Sequence, residues 1–209
     1  MLNKESLIYR LKVSHVLLFF TLTSIGQSTN SDKKVSVSDS IPFTLSESNN
    51  IIFPVIINKI DTLNLMLDTG ANAIFITKEG LKKTNLNFNS KGLTKGLVSS
   101  KAVKESYGNT ITIGNTSWEN ISLSESSLSA KNTDGKIGYN LFNNRIVSID
   151  YDNLLMVISD NLPINADNYY KQELELKDSY LMVNTGYYFD EKQTQDLFLF
   201  DTGFGGSML

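Results

Sequence analysis

The chain of 209 residues contains no cysteine and a single histidine. Without cysteine the protein has no disulfide, no cysteine nucleophile, no Cys/His zinc site and no cysteine that could carry a lipid anchor. A Ser-His-Asp triad would have to use His15, which lies in an apolar N-terminal segment. These absences effectively exclude triad and thiol chemistry.

Positive charge is not concentrated anywhere in the sequence. The 19 lysine and arginine residues and 22 acidic residues give a formal net charge of −3, and the sequence pI is about 5.2. There is no basic tract and no alternation of basic with aromatic residues, which argues against nucleic acid as a partner. With 41% hydrophobic residues, the chain can form one ordinary domain or two small lobes.

A long apolar run is also missing. The mostly apolar stretch Val13–Ile25 is shorter than the roughly 20 residues that a membrane-spanning helix needs. Basic residues precede it, and Ser24-Ile25-Gly26 supplies a small-x-small cleavage site before Gln27. The pattern predicts a signal peptide over residues 1–26 and an exported protein, periplasmic or secreted, with no stable membrane anchor. An uncleaved anchor or a buried first helix is the alternative.

What the sequence does contain is one tripeptide twice, each time after an apolar run. Asp68-Thr69-Gly70 follows Leu65–Leu67, and Asp201-Thr202-Gly203 follows Leu197–Phe200. Each pattern predicts a buried strand that ends in a carboxylate and turns on a glycine.

Two such loops have a specific chemical use if they face each other. Desolvation at the mouth of an apolar layer raises the cost of ionising a carboxyl group. The glycine lets backbone N–H groups approach the carboxylate, and the threonine hydroxyl can tie the turn to a neighbouring element. Two carboxyl groups held close together share one proton. This pair suits general acid–base activation of water against a carbonyl group.

Other segments join the two motifs in a recognisable arrangement. The stretch Asp134–Phe142 contains the apolar-Gly pair Ile137-Gly138 and is followed by the run Ile146–Tyr151. Two β-rich runs, Ile52–Asn58 and Thr62–Leu67, precede the first aspartate. Together these features resemble the aspartic protease superfamily, and in detail its bacterial retropepsin-like, two-lobe members. The resemblance implies that the two β-rich runs form a hairpin, and that a short helix and a closing strand pair follow the apolar-Gly pair.

The resemblance implies an all-β fold: a retropepsin/pepsin-like acid protease barrel, with one complete lobe and the start of a second. The expected organisation is a signal peptide (1–26), a linker (27–40), a first lobe (41–158), a linker (159–171) and an incomplete second lobe (172–209). A flap hairpin is expected within Gly92–Tyr107, with its tip at Gly96–Lys101. The sequence departs from the family at Lys59, where relatives often have a turn glycine, and at Phe204, which replaces a small residue.

The resemblance also implies a function, that of an aspartic endopeptidase acting on a peptide or protein substrate. Asp68 and Asp201 would be the catalytic pair with a water held between them, and no metal or organic cofactor is required. The residues expected to support the two catalytic loops are Thr69, Gly70, Thr202 and Gly203.

Three other interpretations stay open at this stage. The glycine-rich stretch Asp201–Ser207 resembles nucleotide-binding loops of actin-like ATPases, but that function needs a following helix and cytoplasmic ATP. A protease-like β-barrel that binds peptide without cleaving it is the second. About ninety residues separate Asp68 from the end of its lobe near Ile158, whereas eight follow Asp201. The third is therefore a truncated second lobe, completed by a missing C-terminal half or replaced by a homodimer that uses Asp68 from each chain.

Overall fold

The computed structural model describes residues 15–19, 39–95, 100–126, 129–163, 166–189 and 192–206. Most of the predicted signal peptide and first linker, and most of the predicted flap tip, lie outside these residues. The described strands are β1 (His15–Phe19), β2 (Asp39–Pro42), β3 (Thr44–Leu45), β4 (Ile51–Ile57), β5 (Asp61–Asp68), β6 (Ile74–Ile76), β7 (Ser90–Lys95), β8 (Ser100–Ile113), β9 (Thr116–Glu125), β10 (Gly135–Gly138), β11 (Ile146–Asp150), β12 (Leu155–Ser159), β13 (Leu174–Lys177), β14 (Tyr180–Phe189) and β15 (Lys192–Leu199). The helices are α1 (Lys78–Leu81) and two 3₁₀ helices, Tyr139–Phe142 and Ala166–Asn168.

Six strands form a closed barrel in the order β4-β5-β10-β6-β9-β8, and pairing of β8 with β4 completes the circle. Alternation explains the inward face of β4, because Phe53, Val55 and Ile57 are fully buried while their neighbours are more exposed. Closure removes free strand edges from this part of the sheet. The predicted all-β fold with one closed barrel is confirmed.

The hairpin β4–β5 turns through two residues with left-handed backbone conformations. Asn58 has φ of 51° and Lys59 has φ of 64°, and Ile60 N–H donates to the Ile57 carbonyl oxygen at 3.1 Å. Two consecutive positive φ angles are typical of the hairpin turn that matches the twist of the strands. Lys59 therefore adopts the conformation for which glycine is favoured, at the position where the family resemblance marked a departure.

The short elements after β5 also follow the sequence. Thr77 caps the four-residue helix α1, since its hydroxyl accepts a hydrogen bond from Gly80 N–H at 3.0 Å. Strands β7 and β8 form the expected hairpin between Ser90 and Glu105. No helix within the described ranges is long and apolar enough to cross a bilayer.

Two further sheets accompany the barrel. One has the order β1-β11-β12-β2 and contains the antiparallel pair β11–β12 that was expected to close the first lobe. The other is the antiparallel sheet β13-β14-β15. It packs on the barrel core through Leu181, which is 8% exposed, and through Phe200, while the Tyr139 hydroxyl donates to the Ser179 carbonyl oxygen at 3.2 Å.

The hairpin β14–β15 is longer than the sequence pattern predicted. The sequence pattern predicts strands only over Tyr180–Asn184 and Leu197–Phe200, but the ladder continues to the pair of Phe189 with Lys192. The added pairs, such as Thr185 with Asp196 and Gly186 with Gln195, are largely polar. Backbone hydrogen bonds extend the hairpin here, and hydrophobic alternation gives no signal for them.

Candidate active site

Two strands bring the motif aspartates into position. Strand β5 ends at Asp68, after Leu65, Met66 and Leu67, none of which is more than 3% exposed. This aspartate is 5% exposed and Thr69 is fully buried. Strand β15 ends at Leu199, two residues before Asp201, and its residues are exposed or half-buried. The prediction of a buried strand that ends in the carboxylate is therefore wrong for the second motif, because the apolar run Leu197–Phe200 lies in a sheet that is covered on the barrel side only in part. The first carboxyl group thus belongs to the barrel and the second to the three-stranded sheet.

The two motif threonines join the loops by reciprocal hydrogen bonds. Thr69 N–H donates to Thr202 Oγ1 at 3.1 Å, and Thr202 N–H donates to Thr69 Oγ1 at 2.9 Å. Each hydroxyl also donates to the strand that precedes the other motif. Thr69 Oγ1 donates to the Phe200 carbonyl oxygen at 2.7 Å, and Thr202 Oγ1 donates to the Leu67 carbonyl oxygen at 3.1 Å. The loops are therefore related by an approximate two-fold exchange of donors and acceptors.

The motif glycines allow each loop to approach the carboxyl group of the other. A Cβ atom added to Gly70 would lie 2.6 Å from Asp201 Cγ, and one added to Gly203 would lie 2.6 Å from Asp68 Cγ. Real side chains do not tolerate such contacts, so any larger residue would push the loops apart. All six residues named from the sequence lie together at this interface.

The two carboxyl groups differ in their surroundings. Burial raises the pKa of Asp201, and the charge and hydrogen bond of the adjacent Asp68 raise it further. Gly203 N–H donates to Asp201 Oδ1 at 2.8 Å, which lowers the pKa in part, as does the charge of Lys136. The net effect is a raised pKa, which favours the protonated form of Asp201.

Lys136 is a site residue that the sequence analysis did not identify as one. Its Nζ atom lies 2.7 Å from Asp68 Oδ2 and 5.5 Å from the centroid of the Phe75 ring. The strand pattern contained the signal, because β10 runs parallel to β5 and Lys136 precedes the fully buried Ile137. Alternation then places the lysine on the opposite face of the strand, where Asp68 lies.

Asn50 is a second residue that the sequence did not reveal. Its side chain is almost fully buried and donates to the carbonyl oxygens of Gly203 at 3.0 Å and Thr202 at 3.4 Å. Ser46 fixes the amide by donating from its hydroxyl to Asn50 Oδ1 at 3.0 Å. Asn50 therefore links the barrel to the second loop independently of the threonines. Nothing in the local sequence distinguishes it from an ordinary turn asparagine.

The arrangement can hold one proton between two carboxyl groups in a partly buried site. Such a pair has one group that can accept a proton and one that can donate it. Among the residues that the structure describes, no group of three or more acidic or histidine side chains is placed to hold a metal ion.

Comparison with known proteins gave matches for part of the chain. Residues 53–141 match the family model described as "Aspartyl protease". The chain is also similar to the crystal structure of a retropepsin-like aspartic protease from Rickettsia conorii, with 19% identity and a TM-score of 0.44 over 62% of this chain and 96% of that one. No curated protein matches the sequence significantly. The family match spans the first motif and the strand β10 beside it, and the relationship to the aspartic proteases predicted from the sequence is confirmed.

Proposed function

We propose that the protein is an aspartic endopeptidase that hydrolyses peptide bonds with a water molecule activated by Asp68 and Asp201. The observation that carries the proposal is the reciprocal pairing of the two motif loops within one chain. Four hydrogen bonds from Thr69 and Thr202, and the two glycines that lie against the opposite carboxyl groups, hold the aspartates against each other. A structural turn aspartate would need none of this symmetry.

The proposed reaction follows from one shared proton. One carboxylate accepts a proton from the water as the water oxygen bonds to the peptide carbonyl carbon. The other carboxyl group gives its proton to the carbonyl oxygen as the C=O π bond breaks, which yields a neutral tetrahedral intermediate. The first carboxyl group then gives the proton that it took from the water to the amide nitrogen. The C–N bond breaks while one hydroxyl group of the intermediate returns a proton to the second carboxylate, so that an amine and a carboxylic acid leave and the pair again holds one proton.

The proposed setting of this activity is outside the cytoplasm, in the periplasm or as a secreted protein. It is supported by the basic start, the short apolar stretch Val13–Ile25 and the small-x-small site before Gln27. The proposed partners are peptide or protein substrates.

The test is peptide cleavage at acid pH by the full chain and three variants. Asp68→Asn and Asp201→Asn should each reduce turnover by at least about 10²-fold, because asparagine is nearly isosteric with aspartate but cannot exchange the proton. Asp196→Asn is the matched control. This residue is exposed on β15, and within the described residues its carboxylate accepts a hydrogen bond only from the adjacent Leu197 N–H. The Asp196→Asn control should cleave the peptide as the wild type does, and a statine-type inhibitor should block the activity of both.

The same variants separate the alternatives. A homodimer that uses Asp68 from each chain would keep its activity in Asp201→Asn, and that result would contradict the intrachain pair. A binding module would bind the peptide without turnover in the wild type. Full activity of Asp68→Asn, with an unchanged circular dichroism spectrum, would show that the chemistry lies elsewhere.

A further inference from the structure

The ammonium group of Lys136 lies beside the pair of aspartates and contacts one of them. Its side chain is 20% exposed, and the Asp68 side chain that it contacts is 6% exposed. At 2.7 Å, the ammonium–carboxylate contact is a charge-assisted hydrogen bond in a largely desolvated place. Such a contact strongly favours the ionised form of the carboxyl group that receives it.

The ammonium group makes the surroundings of the two aspartates unequal, although the contacts between the two loops are nearly symmetric. Each hydrogen bond of one motif threonine has a counterpart from the other threonine, and each motif glycine lies against the aspartate of the opposite loop. Lys136 contacts Asp68, and among the described residues no second ammonium group forms the same contact with Asp201. The charged groups that shift the pKa of Asp201 are Asp68 and Lys136. The Phe75 ring, 5.5 Å from Nζ, holds the ammonium on this side.

We propose that Lys136 is a positioning residue that keeps the negative charge of the pair on Asp68 and leaves the shared proton on Asp201. If the proposed function holds, Asp68 is then the base that accepts the proton of the water, and Asp201 is the acid that protonates the carbonyl oxygen. The ammonium also favours loss of the last proton, so Lys136 confines the one-proton form of the pair to more acidic pH.

The consequence for activity depends on the proposed function, but the protonation asymmetry does not. It can be measured directly by following the carboxyl carbons of ¹³C-labelled aspartate by NMR while the pH is changed. Signals of the pair are assigned by their disappearance in Asp68→Asn and Asp201→Asn. This measurement reads the site even in a protein that cleaves nothing, so a failed cleavage assay leaves the inference testable.

Four variants are compared with the wild type. Lys136→Met removes the charge and keeps an unbranched side chain, and Lys136→Gln removes the charge but keeps a polar group in case the first variant fails to fold. Lys136→Arg keeps the charge. Lys83→Met is the matched control, because Lys83 Nζ lies 2.6 Å from Asp134 Oδ1 and forms a lysine–aspartate pair with another buried carboxylate of the same barrel.

In the wild type, the transition at higher pH should belong to the Asp201 carbon. Lys136→Met and Lys136→Gln should move that transition upward by about 1–3 pH units and distribute it over both carbons. Lys136→Arg and Lys83→Met should leave it in place. For a cleaving protein, the alkaline limit of kcat/KM should move upward with the same variants.

An upper transition that belongs to Asp68 in the wild type would overturn the inference. So would an unchanged transition in a folded Lys136→Gln variant. A change confined to the preference for acidic substrates, with unaltered carboxyl titrations, would assign Lys136 to substrate recognition and likewise overturn it.

Discussion

At the residue scale, the hydroxyl groups of two threonines connect loops that lie far apart in the chain. The Thr69 hydroxyl donates to Phe200 and accepts from Thr202, across 131 and 133 residues. Because Thr69 is fully buried, water cannot replace either bond.

Replacing Thr69 by valine tests this connection. The variant keeps the shape of the side chain but leaves the Phe200 carbonyl oxygen and the Thr202 N–H without partners, which should lower the free energy of unfolding by about 2 kcal/mol. Urea unfolding measures the loss, and Thr69→Ser, which keeps the hydroxyl, should recover most of it. Equal stability of Thr69→Val and wild type would contradict a structural role for these bonds.

At the element scale, the site depends on strand β10, which lies between β5 and β6. It pairs parallel with β5, so that Gly138 lies opposite Asp68, and antiparallel with β6. Gly138 N–H donates to the Ala73 carbonyl oxygen at 2.9 Å, and the loop after Asp68 passes directly over this glycine. The close passage fixes where the loop, and therefore the carboxyl group, can lie.

Gly138→Ala should disturb this passage. The added Cβ would lie 2.5 Å from the Ala71 carbonyl oxygen and 2.7 Å from Ala73 N, and backbone atoms cannot yield as a flexible side chain does. We expect a loss of about 1–3 kcal/mol in the free energy of unfolding, together with a loss of any peptidase activity. Gly186→Ala is the control, because its added Cβ would lie 3.5 Å from Gln193 Nε2, which is an ordinary contact. Equal unfolding midpoints for the two variants would contradict the close packing of β10.

At the scale of the whole molecule, two carboxyl groups lie where the barrel meets the three-stranded sheet. Asp68 comes from one part and Asp201 from the other, and the pKa of Asp201 is raised by burial and by Asp68. The folded protein therefore holds a proton on Asp201 that the unfolded chain releases. Ionisation of both groups places like charges across the contact between the two parts.

The stability of the fold should depend on pH for this reason. Below the ordinary aspartate pKa of 3.8, Asp201 is protonated in both the folded and unfolded states, so its contribution is fully present. As pH rises from 3.8 through the raised pKa, the unfolded state loses the proton first and the wild type loses stability. Asp201→Asn cannot ionise, so its stability relative to the wild type should increase across that window. Urea unfolding at several pH values from about 3 to about 8 measures the difference.

Asp196→Asn again provides the comparison, because it removes one carboxylate from the strand that leads to Asp201 without touching the pair. Its stability relative to wild type should not follow the trend of Asp201→Asn. A constant difference between Asp201→Asn and wild type over the whole range would show that folding does not raise the pKa of Asp201.

Local sequence was sufficient for most of the first lobe. The β-rich runs before Asp68 predicted β4 and β5, and the apolar-Gly pair indicated the position of β10. The polar end of the hairpin β14–β15 was not predicted, because cross-strand backbone pairing creates it and no side-chain pattern marks it. Asn50 was missed for a related reason, since its partners are in a loop more than 150 residues away.

The sequence by itself determined that two apolar segments each lead to an aspartate followed by a sharp turn, because an apolar run and a glycine act within a few residues. Only the tertiary structure decided that Asp68 and Asp201 meet, that Thr69 and Thr202 exchange hydrogen bonds, and that Lys136 lies against one member of the pair. Those contacts depend on closure of the barrel and on the register of β10 with β5, where a slip of one residue would turn Lys136 into the core. Such long-range geometry arises from the packing of the whole chain, and no short segment encodes it.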